Sequence, residues 1–416
     1  MKLQYLRHPI LTAKKARSRL STHMHIMTFA FQGKRRFRCD PRYDLQNVTD
    51  GFRAQSDDRT DDAPILERIC EAYIRTVEKQ RSENACYQAS KRWQDIRKKS
   101  LGPVLTALLT RDISALGRMY RNFFRDCCSA GILGAPGGLS EAYFSGRIRD
   151  VHRHFYLSHV LCRLDYWKTL TGGRYTTRDL AGPRVGNPFG VLIDGTHISV
   201  GAEYSHYCSH RMRGQLDAKS ATVAEIGGSF GRTAYYLLRD RPGTRYVGLD
   251  LPENVALASY YLMRALPNLN FLCYGEKAIT RESIAEADVV MLPGFALTTV
   301  PPRLVDLTFT SHGMSELSVE ELEDYLKEIS RMTSKRLLFM SHRTVSQRIS
   351  ECVKRQGPAF ALEESCESGW HSYGVSGAGA GGVASPDDLT IIENCYSRGS
   401  HLSEARASFD SATVGI

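Results

Sequence analysis

From Thr222 onward the chain alternates short apolar runs with helical patterns, and no other feature constrains its fold as tightly. The runs "TVAEI", "RYVGLD", "DVVMLP", "VDLTFTS" and "RLLFMS" have the length and apolar character of strands. Helical patterns over Arg232–Arg239, Glu253–Leu266 and 319–332 are interspersed among them. This succession predicts an open, mostly parallel α/β sheet. Two further runs, "FALEESC" and "LTIIENCY", flank "SGAGAGGVASPDD", a flexible loop without the strand-to-helix context of a phosphate loop. They predict a closing antiparallel hairpin. The helix at 319 has a start signal in Ser318 and Glu321, a capping box, with Leu322, Tyr325, Leu326 and Ile329 as its buried face.

Upstream, residues 41–60 are rich in Asp and Arg and read as a linker. A helix is predicted from Pro64, with Ile65, Leu66, Ile69, Tyr73 and Val77 at helical spacing. Further helical patterns cover 88–100, 103–126 and 143–170, up to Gly172 and Gly173. Turn residues and β-prone runs then fill "VGNPFGVLIDGTHISVGAEYSHYCSH". The expected organisation is a basic arm over 1–40, a mainly helical region over 41–184, a connecting segment over 185–220 and the α/β domain over 221–416.

Charge and cysteine content narrow the function classes. Residues 1–39 hold ten Lys and Arg and no Asp or Glu. Without those ten, the remaining 45 basic residues equal the 45 acidic ones, so the body is neutral and a nucleic-acid footprint is not expected. Leu20, Met24, Ile26, Met27, Phe29 and Phe31 lie between basic clusters, a composition suited to an anionic lipid surface, or to a tail or edge packed on the body. The eleven cysteines include no CxxC pair and read as reduced thiols. With no long apolar run and no signal-peptide pattern at the start, the expected location is the cytoplasm, peripheral to the inner membrane face if the arm binds lipid.

The stretch "EIGGSFGRTAYYLL" is a strand, a glycine turn and a helix start, where unpaired backbone N–H groups can meet a ligand. The dinucleotide fingerprint fails, because Ser229 and Arg232 stand where it needs glycines after Gly227. The phosphate-loop pattern fails too, since no Lys follows. What fits is acidic–x–Gly–x–x–x–Gly, with Glu225, Gly227 and Gly231 around Gly228 and Ser229. Asp250 ends the next strand, placed to accept hydrogen bonds from ribose hydroxyls, while Glu225 is placed for a cationic amino-acid group or its water shell.

These residues resemble the class I S-adenosylmethionine-dependent methyltransferases. The resemblance implies a Rossmann-like seven-stranded methyltransferase sheet with an antiparallel last hairpin, preceded here by a mainly helical N-terminal region. The phrases "CYQASKRWQDI", "YRNFFRD", "VGNPFGVLIDG", "EIGGSFGRTAYYLL", "GLDLPENVALASYYL", "VVMLPGFAL" and "VDLTFTSHGMSEL" are together similar to the putative sugar O-methyltransferase family, in order from about residue 85 to 395. At the last phrase this chain has "TSHGMSEL", where that family usually has an Asn- and Ser-containing stretch before Glu-Met. The resemblance implies S-adenosyl-L-methionine as cofactor, with Leu251 and Phe295 flanking the adenosine and Ser311 and His312 bordering the methyl group. It implies a sugar, nucleotide-sugar or lipid-linked glycan acceptor, held between the sheet's carboxyl edge and the N-terminal helices.

Methyl transfer to a hydroxyl needs alignment and a destination for the proton. His312, after "VDLTFTS", is the first candidate base, with a cofactor-contacting role as its alternative; His342 is the reserve. Glu316 is suited to orienting His312, binding the acceptor or capping the next helix. Asp306, Glu316 and His342 are conceivable divalent-cation ligands without supporting spacing. His206 and His210 have i, i+4 spacing, and Arg118, Arg121 and Arg125 share a helix face; each set reads more simply as a polar surface. Two other functions fit the chain: methylation of a natural-product hydroxyl, and a non-catalytic Rossmann-like binding protein at a membrane.

Overall fold

A computed structural model describes residues 23, 24, 26–55, 62–133, 150–217, 219–357, 359–370 and 390–399. The loop "SGAGAGGVASPDD" and the first 22 residues of the basic arm lie outside the described residues. Strands β1 (Gly190–Ile193) and β2 (Thr196–Ser199) form a small hairpin, turned by Asp194 and Gly195 with positive φ. An Asp-Gly pair in that conformation matches the twist of antiparallel strands.

The main sheet holds β3 (Thr222–Ile226), β4 (Arg245–Asp250), β5 (Phe271–Cys273), β6 (Val289–Pro293), β7 (Val305–Ser311), β8 (Thr333–His342), β9 (Phe360–Glu367) and β10 (Ile391–Arg398). Their order across the sheet is β5-β6-β4-β3-β7-β8-β10-β9. The first six of these positions pair in parallel, and β10 runs antiparallel to both β8 and β9. The sheet therefore has the expected class with eight strands instead of seven. The extra strand, β5, is three residues long, too short to show a period.

Every residue of β3 and β6 is buried, as strands covered on both faces must be. Two apolar clusters account for this. One joins Val223, Tyr246 and Leu307 to the N-terminal helices through Leu66, Leu108, Phe123 and Trp167. The other packs Ala224, Val247 and Phe339 against the helices Val319–Met332 and Arg343–Arg355. The helical N-terminal region thus shares its core with one face of the sheet.

Local departures have local causes. Inside the expected 41–60 linker, Asp44 accepts a hydrogen bond from the Gln46 N–H and caps a helix, Leu45–Gly51. That helix lies on β1, where a Cβ on Gly51 would stand 2.3 Å from the Gly190 carbonyl oxygen. The expected helix over 103–126 is two helices, Gly102–Thr110 and Ile113–Tyr120, because Arg111 turns left-handed and Asp112 caps the second. The helix Ala63–Gln80 has its Pro in the first turn, and Ser318 and Glu321 form the capping box at Val319–Met332. Residues 26–36 form a helix with Ile26, Ala30, Gly33 and Phe37 buried, so this part of the arm packs on the body.

Candidate functional site

The chain passes from β3 to β4 on one side and later returns to β7 on β3's other side. Such a switch point leaves a crevice at the carboxyl ends of the strands. A cavity of roughly 710 Å³ lies there, within the range of ligand sites. Ile226, Asp250, Ser311 and His342, the last residues of β3, β4, β7 and β8, all line it.

The wall after β3 and β4 is set by backbone geometry. A Cβ on Gly227 would sit 2.5 Å from the Gly313 Cα, and one on Gly313 2.3 Å from the Ile226 carbonyl oxygen. The two loops therefore touch through glycines, and Gly313 was not singled out in the sequence. Ser229 adopts φ +54° and its N–H donates to Asp250 Oδ2 at 2.9 Å. Oδ1 of Asp250 accepts from the Leu251 N–H at 2.7 Å and from Asn254 Nδ2 at 2.9 Å. Three of about four lone-pair sites on this carboxylate are thus occupied, which leaves capacity for a ligand hydroxyl. Asn254 also lines the cavity, and its buried Oδ1 has no hydrogen-bond partner. Because Nδ2 serves Asp250, that oxygen is a free acceptor. Its signal in the sequence was its place four residues after Asp250, in the first turn of Pro252–Ala265.

Gly227, Ser229, Asp250, Leu251 and Ser311 are on the cavity wall; Glu225, Gly228, Gly231 and Phe295 are not. Glu225 is buried beneath the loop, where Tyr246 Oη donates to its Oε2 at 2.7 Å. Burial pushes its carboxyl up to about 7, against the lowering by Tyr246. Gly228 closes over this pair, since a Cβ there would stand 2.9 Å from Tyr246 Oη. Gly231 caps the helix Arg232–Asp240 with φ +88°, against Leu262. Phe295 is buried edge-on to Tyr274. Asp250 is itself pushed up to about 6, chiefly by burial, with its three hydrogen bonds opposing.

The three candidate catalytic side chains, His312, Glu316 and His342, also line the cavity. The His312 and His342 rings are 4.9 Å apart between centroids. His312 sits at φ +60°, its N–H bonded to the Met340 carbonyl at 2.9 Å. Burial and the His342 ring lower its pKa to about 4, so the imidazole is neutral near pH 7. Nδ1 of His342 is buried without a partner. Ser311 Oγ shares a hydrogen bond of 2.8 Å with Tyr204 Oη. Two of the six non-glycine residues with positive φ among the described residues, Ser229 and His312, line this one cavity. Backbone strain of that kind gathers at functional sites.

Glu316 neither orients His312 nor caps a helix. Ser90 Oγ donates to its Oε2, and Arg92 donates to Oε1 at 2.8 Å. These partners belong to the segment Cys86–Ile96, whose Tyr87, Lys91, Trp93 and Ile96 form the outer wall. The segment is also anchored by Arg97, which donates to both oxygens of buried Glu253 at 2.7 and 2.8 Å.

The remaining polar sets are structural. Asp306 lies at the amino end of β7, bonded to the Thr222 N–H and Lys335, far along the strand from Ser311. Among the described residues no group of three or more His, Cys, Asp or Glu is placed to hold a metal ion. His206 is buried, accepting from Trp167 Nε1, and His210 bonds Tyr175 Oη. Arg121 pairs with buried Asp62, Arg125 with backbone carbonyls and Arg118 with Ser114, so they form no anion cluster. All eleven cysteines are free. No described helix is long and apolar enough to cross a membrane.

The fold and site define an open α/β sheet with a ligand crevice at its switch point. Among solved structures, the chain is similar to the mitomycin 7-O-methyltransferase MmcR (16% identity, 48% of this chain and 55% of that one, TM-score 0.32). It is similar to the pyocyanin biosynthetic protein PhzM (16%, 47% and 56%, 0.31) and to a SAM-dependent methyltransferase from Aquifex aeolicus (12%, 56% and 98%, 0.32). The chain spans little more than half the length of the first two. At these scores the overlap identifies neither substrate nor residue roles, and the fold class rests on the chain's own strand order. No family model and no curated protein matches the sequence.

Proposed function

We propose that this protein transfers a methyl group from S-adenosylmethionine to a hydroxyl of a small acceptor, and that the acceptor is a sugar or glycoconjugate. The observation that carries the reading is one cavity lined by two unlike sets of groups. The glycine loop, Asp250 and Asn254 offer backbone and acceptor groups, and the loop that touches them through Gly313 brings His312, with His342 beside it, to the same cavity. The residues suit the cofactor, because Asp250 retains a lone-pair site and Asn254 Oδ1 an unmet acceptor for its hydroxyl and amino groups.

When bound, the cofactor supplies a methyl group activated on a sulfonium. The chain's residues align the acceptor oxygen and take its proton. The neutral His312 ring accepts that proton, and His342 beside it offers an onward path through its unpartnered Nδ1. The sugar reading is supported by the phrase "CYQASKRWQDI", which forms the outer wall and supplies aromatic faces in Tyr87 and Trp93 beside Lys91. The apolar Ile96 on the same wall favours the second reading, a natural-product alcohol.

Calorimetric titration with S-adenosylmethionine tests the core of the proposal. Binding is expected, weakened about tenfold or more in Asp250→Ala by loss of a charge-accepted hydrogen bond of about 1.5–3 kcal/mol. Absence of binding at high micromolar ligand, with the variant no different, would remove the methyltransferase reading.

A further inference from the structure

The helix over 26–36 has two unlike faces. Ile26, Ala30, Gly33 and Phe37 are buried on the body, and Gly33 is so close to the helix Asp150–Leu170 that a Cβ would overlap the Ser158 side chain. Met24, Met27 and Phe31 point away, at i, i+3 and i+7, and are 59%, 46% and 71% exposed. They are three of the six large apolar side chains standing exposed among the described residues, and Met27 and Phe31 lie one helical turn apart on the same stripe of this helix. The stripe runs on into Lys34, Arg35 and Arg38, all exposed, while Arg36 lies against the Phe37 ring. No acidic residue occurs in the first 39 positions. The nearest one in sequence, Asp40, is held by Arg42 at 2.6 Å and does not offset the patch.

We infer that this outer face is a docking surface for an anionic lipid bilayer. The apolar side chains are spaced to enter the acyl boundary while the body holds the helix parallel to the surface. The cationic end is complementary to acidic headgroups, each such residue adding roughly a fivefold gain in partitioning. A fixed inner face matters, because the helix need not fold on contact, and the cost of ordering it is already met within the protein.

Sedimentation of the full chain with vesicles tests this. Binding is expected to phosphatidylcholine vesicles containing about 30% phosphatidylglycerol, a strongly anionic surface, and not to phosphatidylcholine alone. Met27→Asp with Phe31→Asp should reduce that binding at least roughly tenfold, as should Lys34→Glu with Arg35→Glu. All four positions are exposed, so circular dichroism and cofactor binding should be unchanged. Failure to bind anionic vesicles, equal binding of neutral ones, or equal binding by the double Asp variant would overturn the inference. So would a dimer in solution that Phe31→Asp dissociates, since the stripe would then be covered by a second copy.

Discussion

Around the cavity, the wall after β3 and β4 is shaped by backbone contacts, whereas the wall from Cys86 to Ile96 is held by side-chain ion pairs. In the first, Gly227 meets Gly313 and the Ser229 N–H meets Asp250, all within a few residues of strand ends. In the second, Arg97 grips Glu253 and Arg92 grips Glu316 across more than 150 positions of sequence. Under the proposed function the difference would separate two tasks: a pre-shaped surface for the cofactor, and an attached surface whose side chains can differ with the acceptor. Arg92–Glu316 is an exposed pair, of the kind worth only about 0.2–1 kcal/mol. Of the two pairs, Arg97–Glu253, whose carboxylate is buried, is the costlier to break.

The sharpest way to separate the walls is His312→Asn. Asn tolerates the left-handed backbone that His312 adopts, so the loop should keep its shape. Turnover should fall roughly 10²–10⁴-fold, the ordinary contribution of a positioned base, with cofactor affinity nearly unchanged. Steady-state kinetics beside calorimetry checks this. An unchanged turnover would move the proton acceptor to His342, while a lost cofactor would place His312 on the first wall.

Glu253→Gln should act on the attachment. The substitution removes the charge but keeps an amide oxygen for the half-buried Arg97, so a loss of about 1–3 kcal/mol is expected. Thermal denaturation should show the destabilisation, and acceptor KM should rise more than cofactor Kd. A change below about 1 kcal/mol would mean that apolar packing, not the ion pair, holds the segment.

How much of this could be read from sequence follows the same division. The glycine loop, Asp250 and the strand that ends in Ser311 were legible because local spacing fixes them. Glu225 was legible as part of the motif, yet its contact with Tyr246 was not, since that depends on how β3 and β4 pair. Gly313 was missed because the need for it comes from the neighbouring loop, not from its own turn. Glu316 was legible as a residue of the cavity, but its bonds to Ser90 and Arg92 were not, because those partners lie more than 220 residues upstream. The helix Leu45–Gly51 was hidden by polar composition, and β5 by its brevity.

Acidity offers a finer probe of the first wall. Burial raises the Asp250 carboxyl to about 6, and a ligand hydroxyl is best accepted by its ionised form. Below that value the folded protein holds a proton that binding must release, so affinity falls as pH falls. Between pH 7 and pH 5 the cofactor Kd should rise by about tenfold, one unit of pH below the pKa being worth about 1.4 kcal/mol. Asp250→Asn should bind more weakly and flatten that dependence. A flat profile in the unaltered protein would mean that the carboxylate does not meet the ligand.

The smallest effect belongs to Ser229. Its side chain stands at φ +54°, where an L-residue is strained by roughly 1–2 kcal/mol and glycine is not. Ser229→Gly relieves that strain but gives the unfolded chain more freedom, which offsets about 0.4–1 kcal/mol. A net gain below about 1 kcal/mol is expected in thermal denaturation. Because the N–H to Asp250 Oδ2 comes from the backbone, it survives the substitution, and cofactor affinity should be retained. If affinity instead drops tenfold, the hydroxyl itself touches the ligand, and the first wall is not made by backbone alone.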